Sequence, residues 1–139
     1  MLAAGLPARC GGSSDPVRGC LDGVAHAARD RDAAAVFDRV AADFQSGEGA
    51  SRAEAQDLVR RYLAAYESLD VTLSDVQVER SDNAARARFR ASLSGQPRRI
   101  GGLDALFPRS STYDFDVRLA PEDGKWKIAW AQWREAGSR

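Results

Sequence analysis

The sequence predicts an α+β fold in which three N-terminal helices pack on a strongly bent four-stranded antiparallel sheet. Three observations carry this expectation. Apolar residues recur every three to four positions from Val17 to Leu69. From Val71 to Trp133 the apolar period changes to two. The helical signals precede the strand signals, and a sheet with one apolar face must bury it against those helices.

At 139 residues the chain suits one domain, which buries roughly two-thirds of the surface its unfolded form exposes and folds without disulfide or metal. Lysine plus arginine, 20, balances aspartate plus glutamate, 20. That balance argues against a general binder of nucleic acid or anionic membrane. The lysines are Lys125 and Lys127, the other basic residues being arginine, and alanine is abundant. Both residues have GC-rich codons, an association that points to a bacterial source. Cys10, Cys20 and His26 form no CxxC pair and no zinc ligand set, so neither metal nor cofactor is expected. No apolar run approaches the ~18 residues of a membrane span.

Residues 1–14 stand apart as a flexible segment. A small apolar start leads to Cys10 and the linker Gly11, Gly12, Ser13, Ser14. This resembles the end of a bacterial lipoprotein signal, in which a cysteine is acylated. The resemblance implies lipidation at Cys10, membrane attachment only through that lipid, and an envelope location. Arg9 departs from the small residue expected before the cysteine, and the preceding stretch is shorter than a charged region plus an apolar region of about 7–15 residues. Without a lipid anchor the domain is expected in the cytoplasm. The folded domain is expected over residues 15–136, with a tail at 137–139.

The first helix begins at Asp15 with Pro16 in the first helical position, where a missing N–H costs nothing. Val17, Cys20, Leu21, Val24 and Ala28 form its stripe, and His26 falls opposite, on the solvated side. Asp32 caps a second helix with the stripe Val36, Phe37, Val40, Phe44. Residues 45–49 form a loop. Ser51 and Glu54 form a capping box for the third helix, whose stripe is Leu58, Tyr62, Tyr66 and Leu69. Tyr62 and Tyr66 are read either as core tyrosines bonded to backbone or as ligand contacts.

The strands follow. A slip near Ser74–Asp75 predicts a bulge, and Ser81, Asp82 and Asn83 a turn. Ala85, Ala87, Phe89, Ala91 and Leu93 share one face, with Arg86, Arg88 and Arg90 on the other. Residues 95–110 read as a loop in which Leu103, Leu106 and Phe107 fold back. Tyr113, Phe115, Val117 and Leu119 then share a face opposite Asp114 and Asp116. Pro121–Gly124 turns the chain. The last strand is expected to place Trp126, Ile128 and Trp130 on the aromatic face and Trp133 on the polar face. The arginine stripe is read as an ion-pair surface with Asp114 and Asp116.

The ending Asp123-Gly124-Lys125-Trp126-Lys127-Ile128 with Trp133, preceded by Tyr113-Asp114-Phe115, resembles the nuclear transport factor 2-like superfamily, especially its SnoaL-like bacterial members. Ala41-Ala42-Asp43-Phe44 resembles the close of the second helix there. The likeness covers about residues 16–135. It implies a cone with a pocket between the helices and a concave sheet, in a superfamily that includes isomerases, dehydratases, cyclases, immunity proteins and noncatalytic binding domains.

The preferred reading is a noncatalytic envelope domain that binds a small apolar or aromatic molecule. Its pocket would be lined by Phe37, Tyr62, Tyr66, Phe89, Phe115 and Trp130. An isomerase or lyase is the first alternative, with Glu48 or Asp43 as base and Tyr62 or Tyr66 as donor. The second is a homodimer or interaction module acting through Arg86, Arg88, Asp114, Asp116 and Trp133.

Overall fold

The computed structural model describes residues 15–98 and 108–136. Within them lie three helices, α1 (Pro16–Arg29), α2 (Ala33–Phe37) and α3 (Arg52–Ala64). The strands are β1 (Val40–Ser46), β2 (Tyr66–Arg80), β3 (Ala85–Pro97), β4 (Ser110–Glu122) and β5 (Lys125–Glu135). They form one sheet in the order β1-β5-β4-β3-β2. The four expected strands are antiparallel neighbours, and β1 adds a fifth at the edge, parallel to β5. Cys10, Leu103, Leu106 and Phe107 lie outside the described residues.

α1 begins as its sequence directs. The Asp15 carboxylate accepts the Val17 N–H at 2.9 Å, and Pro16 sits in the first turn. Val17, Cys20 and Leu21 are buried, and the helix packs on β2. His26 is exposed, 3.5 Å from Asp30. Burial pushes the Cys20 thiol up to about 11, so it stays protonated and inert at neutral pH.

The second helix is shorter than its stripe suggests. Asp32 caps it by accepting the Ala35 N–H at 3.0 Å, but it ends at Phe37. Arg52, at the start of α3, donates to the Phe37 carbonyl at 2.6 Å and to the Val40 carbonyl at 3.5 Å. Ile128 N–H takes the Arg39 carbonyl at 2.8 Å, and Gly47 N–H reaches the Ala131 carbonyl at 2.9 Å. Backbone groups that a longer helix would pair internally are thus claimed by α3 and β5. Val40 and Phe44 fit both structures because four residues make about one helical turn and two strand periods.

The capping box of α3 forms in both directions, Ser51 Oγ accepting from Glu54 N–H at 3.2 Å and Glu54 Oε1 from Ser51 N–H at 2.9 Å. Asp57 pairs with Arg61 at 2.6 Å and also with Arg60. The helix stops at Ala64, one turn earlier than expected. Arg98 donates to the Ala64 carbonyl through Nε and to the Ala65 carbonyl through its backbone N–H, each at 2.8 Å. Tyr66 and Leu69 therefore belong to β2, not to a helix.

Two of the register shifts in the sheet bear on its faces. The β2 register shifts between Ser74 and Gln77, with Asp75 at φ 54. This is the bulge expected there. In β5 the pairing moves from Leu119↔Ile128 to Arg118↔Trp130, so Ala129 is an extra residue. Beyond it the alternation inverts. Trp130 turns to the outer face and Trp133 to the inner face, the reverse of the expected assignment. The β4–β5 hairpin closes through Asp123 and Gly124, both at positive φ (54 and 78), as a two-residue primed turn requires.

The inner face buries Ala85, Ala87, Ala91, Val117, Leu119, Ile128 and Ala131 against the helices. At the edge, the buried Ser46 hydroxyl accepts the N–H groups of Ala50 at 2.9 Å and Glu48 at 3.2 Å. It holds the turn from β1 into α3. Ser46→Ala strips both donors of their acceptor and should lower the unfolding free energy by about 1–3 kcal/mol. Urea denaturation checks this, with the midpoint falling and the slope unchanged.

Candidate functional site

The open end of the inner face is aromatic. Phe89 on β3, Phe115 on β4 and Trp133 on β5 are register partners, so their rings line up across three strands. Phe89 and Phe115 stack with centroids 5.2 Å apart and planes 7° apart; Phe115 and Trp133 lie 6.0 Å and 28° apart. Tyr113 meets Phe115 edge-on at 6.5 Å. Behind this row, Tyr62 on α3 and Tyr66 on β2 lie 5.3 Å apart. Such offset and edge contacts add to the gain from burial. The cluster grades from the buried Tyr66, 1% exposed, to Trp133, 38% exposed.

The hydroxyls in this cluster behave differently from one another. Tyr66 donates to the Pro108 carbonyl at 2.7 Å. Burial, and then the neighbouring Tyr62, push the Tyr66 phenol well above its ordinary pKa. Burial likewise raises Tyr113, with Tyr62 and Glu135 contributing. The Tyr62 hydroxyl is buried and interacts with both the Tyr66 and the Tyr113 phenol.

Of the residues expected to line the pocket, Tyr62, Tyr66, Phe89 and Phe115 come together here. Phe37 lies in the core with the Arg52 guanidinium 5.6 Å from its ring centroid. Trp130 stands on the outer face under Arg118, whose guanidinium is 4.6 Å from its centroid. The sequence reading missed Tyr113 as a member, along with Trp133 and Glu135. Glu135 faces Tyr113 in the register, and the Ala129 bulge concealed both β5 residues. Asp43 and Glu48 are exposed, on the β1 edge and in the turn after it. Neither is among the groups that perturb Tyr66 or Tyr113.

The outer face carries the arginine stripe. Arg86 grips Asp116 with two bonds of 3.0 and 2.7 Å, and Arg90 holds Asp114 at 2.9 and 3.4 Å. Trp133, expected to project with these charges, turns its ring to Phe115 in the aromatic row instead. A groove of about 530 Å³ is lined by Asp75, Arg88, Gln132 and Arg134 together with Phe89, Phe115 and Trp133. Hydrogen bonds from Arg86 and Arg90 hold the Asp116 and Asp114 carboxyls below the usual carboxylate range. A depressed folded-state pKa adds stability above the unfolded value and loses it as pH falls through the folded one. Unfolding free energy should therefore drop as pH falls below about 4. The double variant Asp114→Asn/Asp116→Asn should start lower at neutral pH and fall less, as urea titrations from neutral to acid pH would measure.

The sequence matches no protein-family model and no curated protein. Solved structures do match the fold. A putative scytalone dehydratase from Novosphingobium aromaticivorans superposes with a TM-score of 0.74 at 11% identity, over 87% of this chain and 82% of that one. A putative dehydratase of the NTF2-like family from Streptomyces avermitilis gives 0.72 at 13% identity, over 88% and 95%. An NTF2-like protein of unknown function from Pseudomonas putida gives 0.65 at 14%, over 84% and 82%. At these identities the likeness is one of fold, and the fold of this chain is that of the nuclear transport factor 2-like superfamily.

Proposed function

We propose that this is a noncatalytic binding domain that holds a small apolar or aromatic molecule against the inner aromatic row. The observation that carries the reading is the aligned Phe89, Phe115 and Trp133 ladder, partly exposed at the open end of an otherwise buried face. A row of flat rings open at one end suits a planar apolar ligand, with the tyrosines supplying polar tips. The exposed positions of Asp43 and Glu48 weigh against a base poised over that ligand.

Trp133 provides the test. Titration with N-phenyl-1-naphthylamine should change the tryptophan fluorescence saturably at one-to-one stoichiometry. Phe115→Ala should weaken that binding about tenfold by removing the middle of the ladder. Non-saturable uptake that ignores Phe115→Ala would refute the reading.

The two putative dehydratases of the same fold support a lyase or isomerase alternative, with Asp43 or Glu48 as base. Under it, Asp43→Asn or Glu48→Gln lowers the turnover of a dehydrated alcohol by about a hundredfold or more. Rates equal to those of the unaltered protein would remove both residues from any mechanism.

A further inference from the structure

A second hollow, of about 540 Å³, lies beside α1 and shares no residue with the aromatic row. Its charges do not cancel. Arg18, Arg29 and Arg39 line it against one carboxylate, Asp22. The groove on the sheet is different, because Asp75, Asp114 and Asp116 match Arg88, Arg90 and Arg134 there. Arg18 holds Asp22 through Nε at 3.2 Å. Arg29 donates through Nε to the Val71 carbonyl at 3.0 Å and stands 3.6 Å from Asp70, which is outside the lining. Both guanidiniums are thereby fixed, and each keeps further N–H groups for a guest, since arginine carries five donors.

The Arg39 side chain has no hydrogen bond or ion pair with any described residue. Although exposed, it folds back onto α1. Its guanidinium lies on the backbone of Gly23, with Cζ 2.3 Å from where the Cβ of an alanine would stand. Gly19, about one turn earlier, meets open space at the same point. Glycine is the poorest helix former after proline, and at position 23 the missing side chain is what seats Arg39. At 1.5 Å per residue, Arg18 and Arg29 flank that seat at about 7.5 and 9 Å along the helix axis. A guest at Arg39 therefore lies between the other two arginines.

We infer that this hollow is a second binding site, for the phosphate monoester group of a small soluble molecule, with Arg39 as its principal contact. Guanidinium forks match phosphate oxygens, and three of them offer more N–H groups than the two oxygens of a carboxylate accept. A phosphate monoester carries a charge of about −1.5 to −2 at neutral pH, which answers the positive excess of the lining. Ala25 and Leu73 give the rest of the molecule an apolar wall. A concave site suits a small molecule better than it suits a membrane surface.

Isothermal titration of the full chain with phenyl phosphate near neutral pH tests this. Saturable one-to-one binding is expected, about tenfold tighter than that of benzoate. Arg39→Gln should weaken it about tenfold or more. Gly23→Ala should weaken it likewise by pushing the guanidinium off its seat. Gly19→Ala makes the same change on the same helix into open space and should leave binding intact. Neither glycine variant should lower the melting temperature, because alanine favours the helix, so a loss confined to Gly23→Ala reports the seat of Arg39 and not misfolding. Saturation with N-phenyl-1-naphthylamine should leave phenyl phosphate binding unchanged. Binding that survives Arg39→Gln, falls equally in both glycine variants, or is displaced by the naphthylamine would overturn the assignment. Equal affinity for benzoate would overturn the phosphate class. Absence of phenyl phosphate binding would overturn the site, and capture of the chain by vesicles containing phosphatidic acid would then give this surface to a membrane.

Discussion

One extra residue in the last strand decides what each face of the sheet displays. Ala129 has no partner in the β4 register, and past it every β5 side chain changes sides. Trp133 joins Phe115 and Phe89 on the inner face because of it. Trp130 goes outward, where it lies against Arg118. The aromatic ladder, the cation–π contact and the approach of Glu135 to Tyr113 all follow from that single insertion. Without the bulge, Gln132 and Arg134 would continue the inner row, and the ladder would end at Phe115.

Packing explains why the rings meet small neighbours on this face. Ala85, Ala87 and Ala91 on β3 are small, as are Val117 and Ala131 beside them. Small side chains in the middle of the sheet let the helices approach closely and exclude water there. On β3 the ring of Phe89 stands between the buried Ala87 and Ala91, and its register partners Phe115 and Trp133 stand beside Val117 and Ala131 in partly exposed positions. Bends fixed by the β2 bulge at Asp75 and the β5 bulge at Ala129 concentrate sheet twist at those positions.

Much of this was legible in the sequence. Asp15, Asp32 and Ser51 announced the helix starts, because capping is local chemistry that needs no tertiary context. The alternation in β3 and β4 placed Arg86 and Arg90 beside Asp116 and Asp114. Helix ends were less legible, because distant residues set them. Arg52 ends α2 and Arg98 ends α3, each by taking carbonyls that the local sequence leaves free. β1 was hidden for the same reason, since the spacing of Val40 and Phe44 suits helix and strand alike and only pairing with β5 decides. The inner-face membership of Trp133 and Glu135 was illegible because strict alternation predicts the wrong side beyond an unseen bulge. For the site, four expected members met and two did not. Phe37 belongs to the core, and Trp130 was misplaced by that same bulge.

The distribution of charge bears on what such a site can do. Asp114 and Asp116 are committed to arginines on the outer face, and their carboxyls are held in the ionised form. The inner cluster is left with phenols, and burial raises the pKa of Tyr66 and Tyr113 rather than lowering it. A general base works best with a pKa near the operating pH. These phenols are shifted away from that condition, and Glu135, the acid that reaches Tyr113 electrostatically, stands at the exposed end of β5. Groups that stay protonated are poor proton acceptors but dependable donors. The same burial works against proton abstraction here, because it favours the neutral phenol over the phenolate.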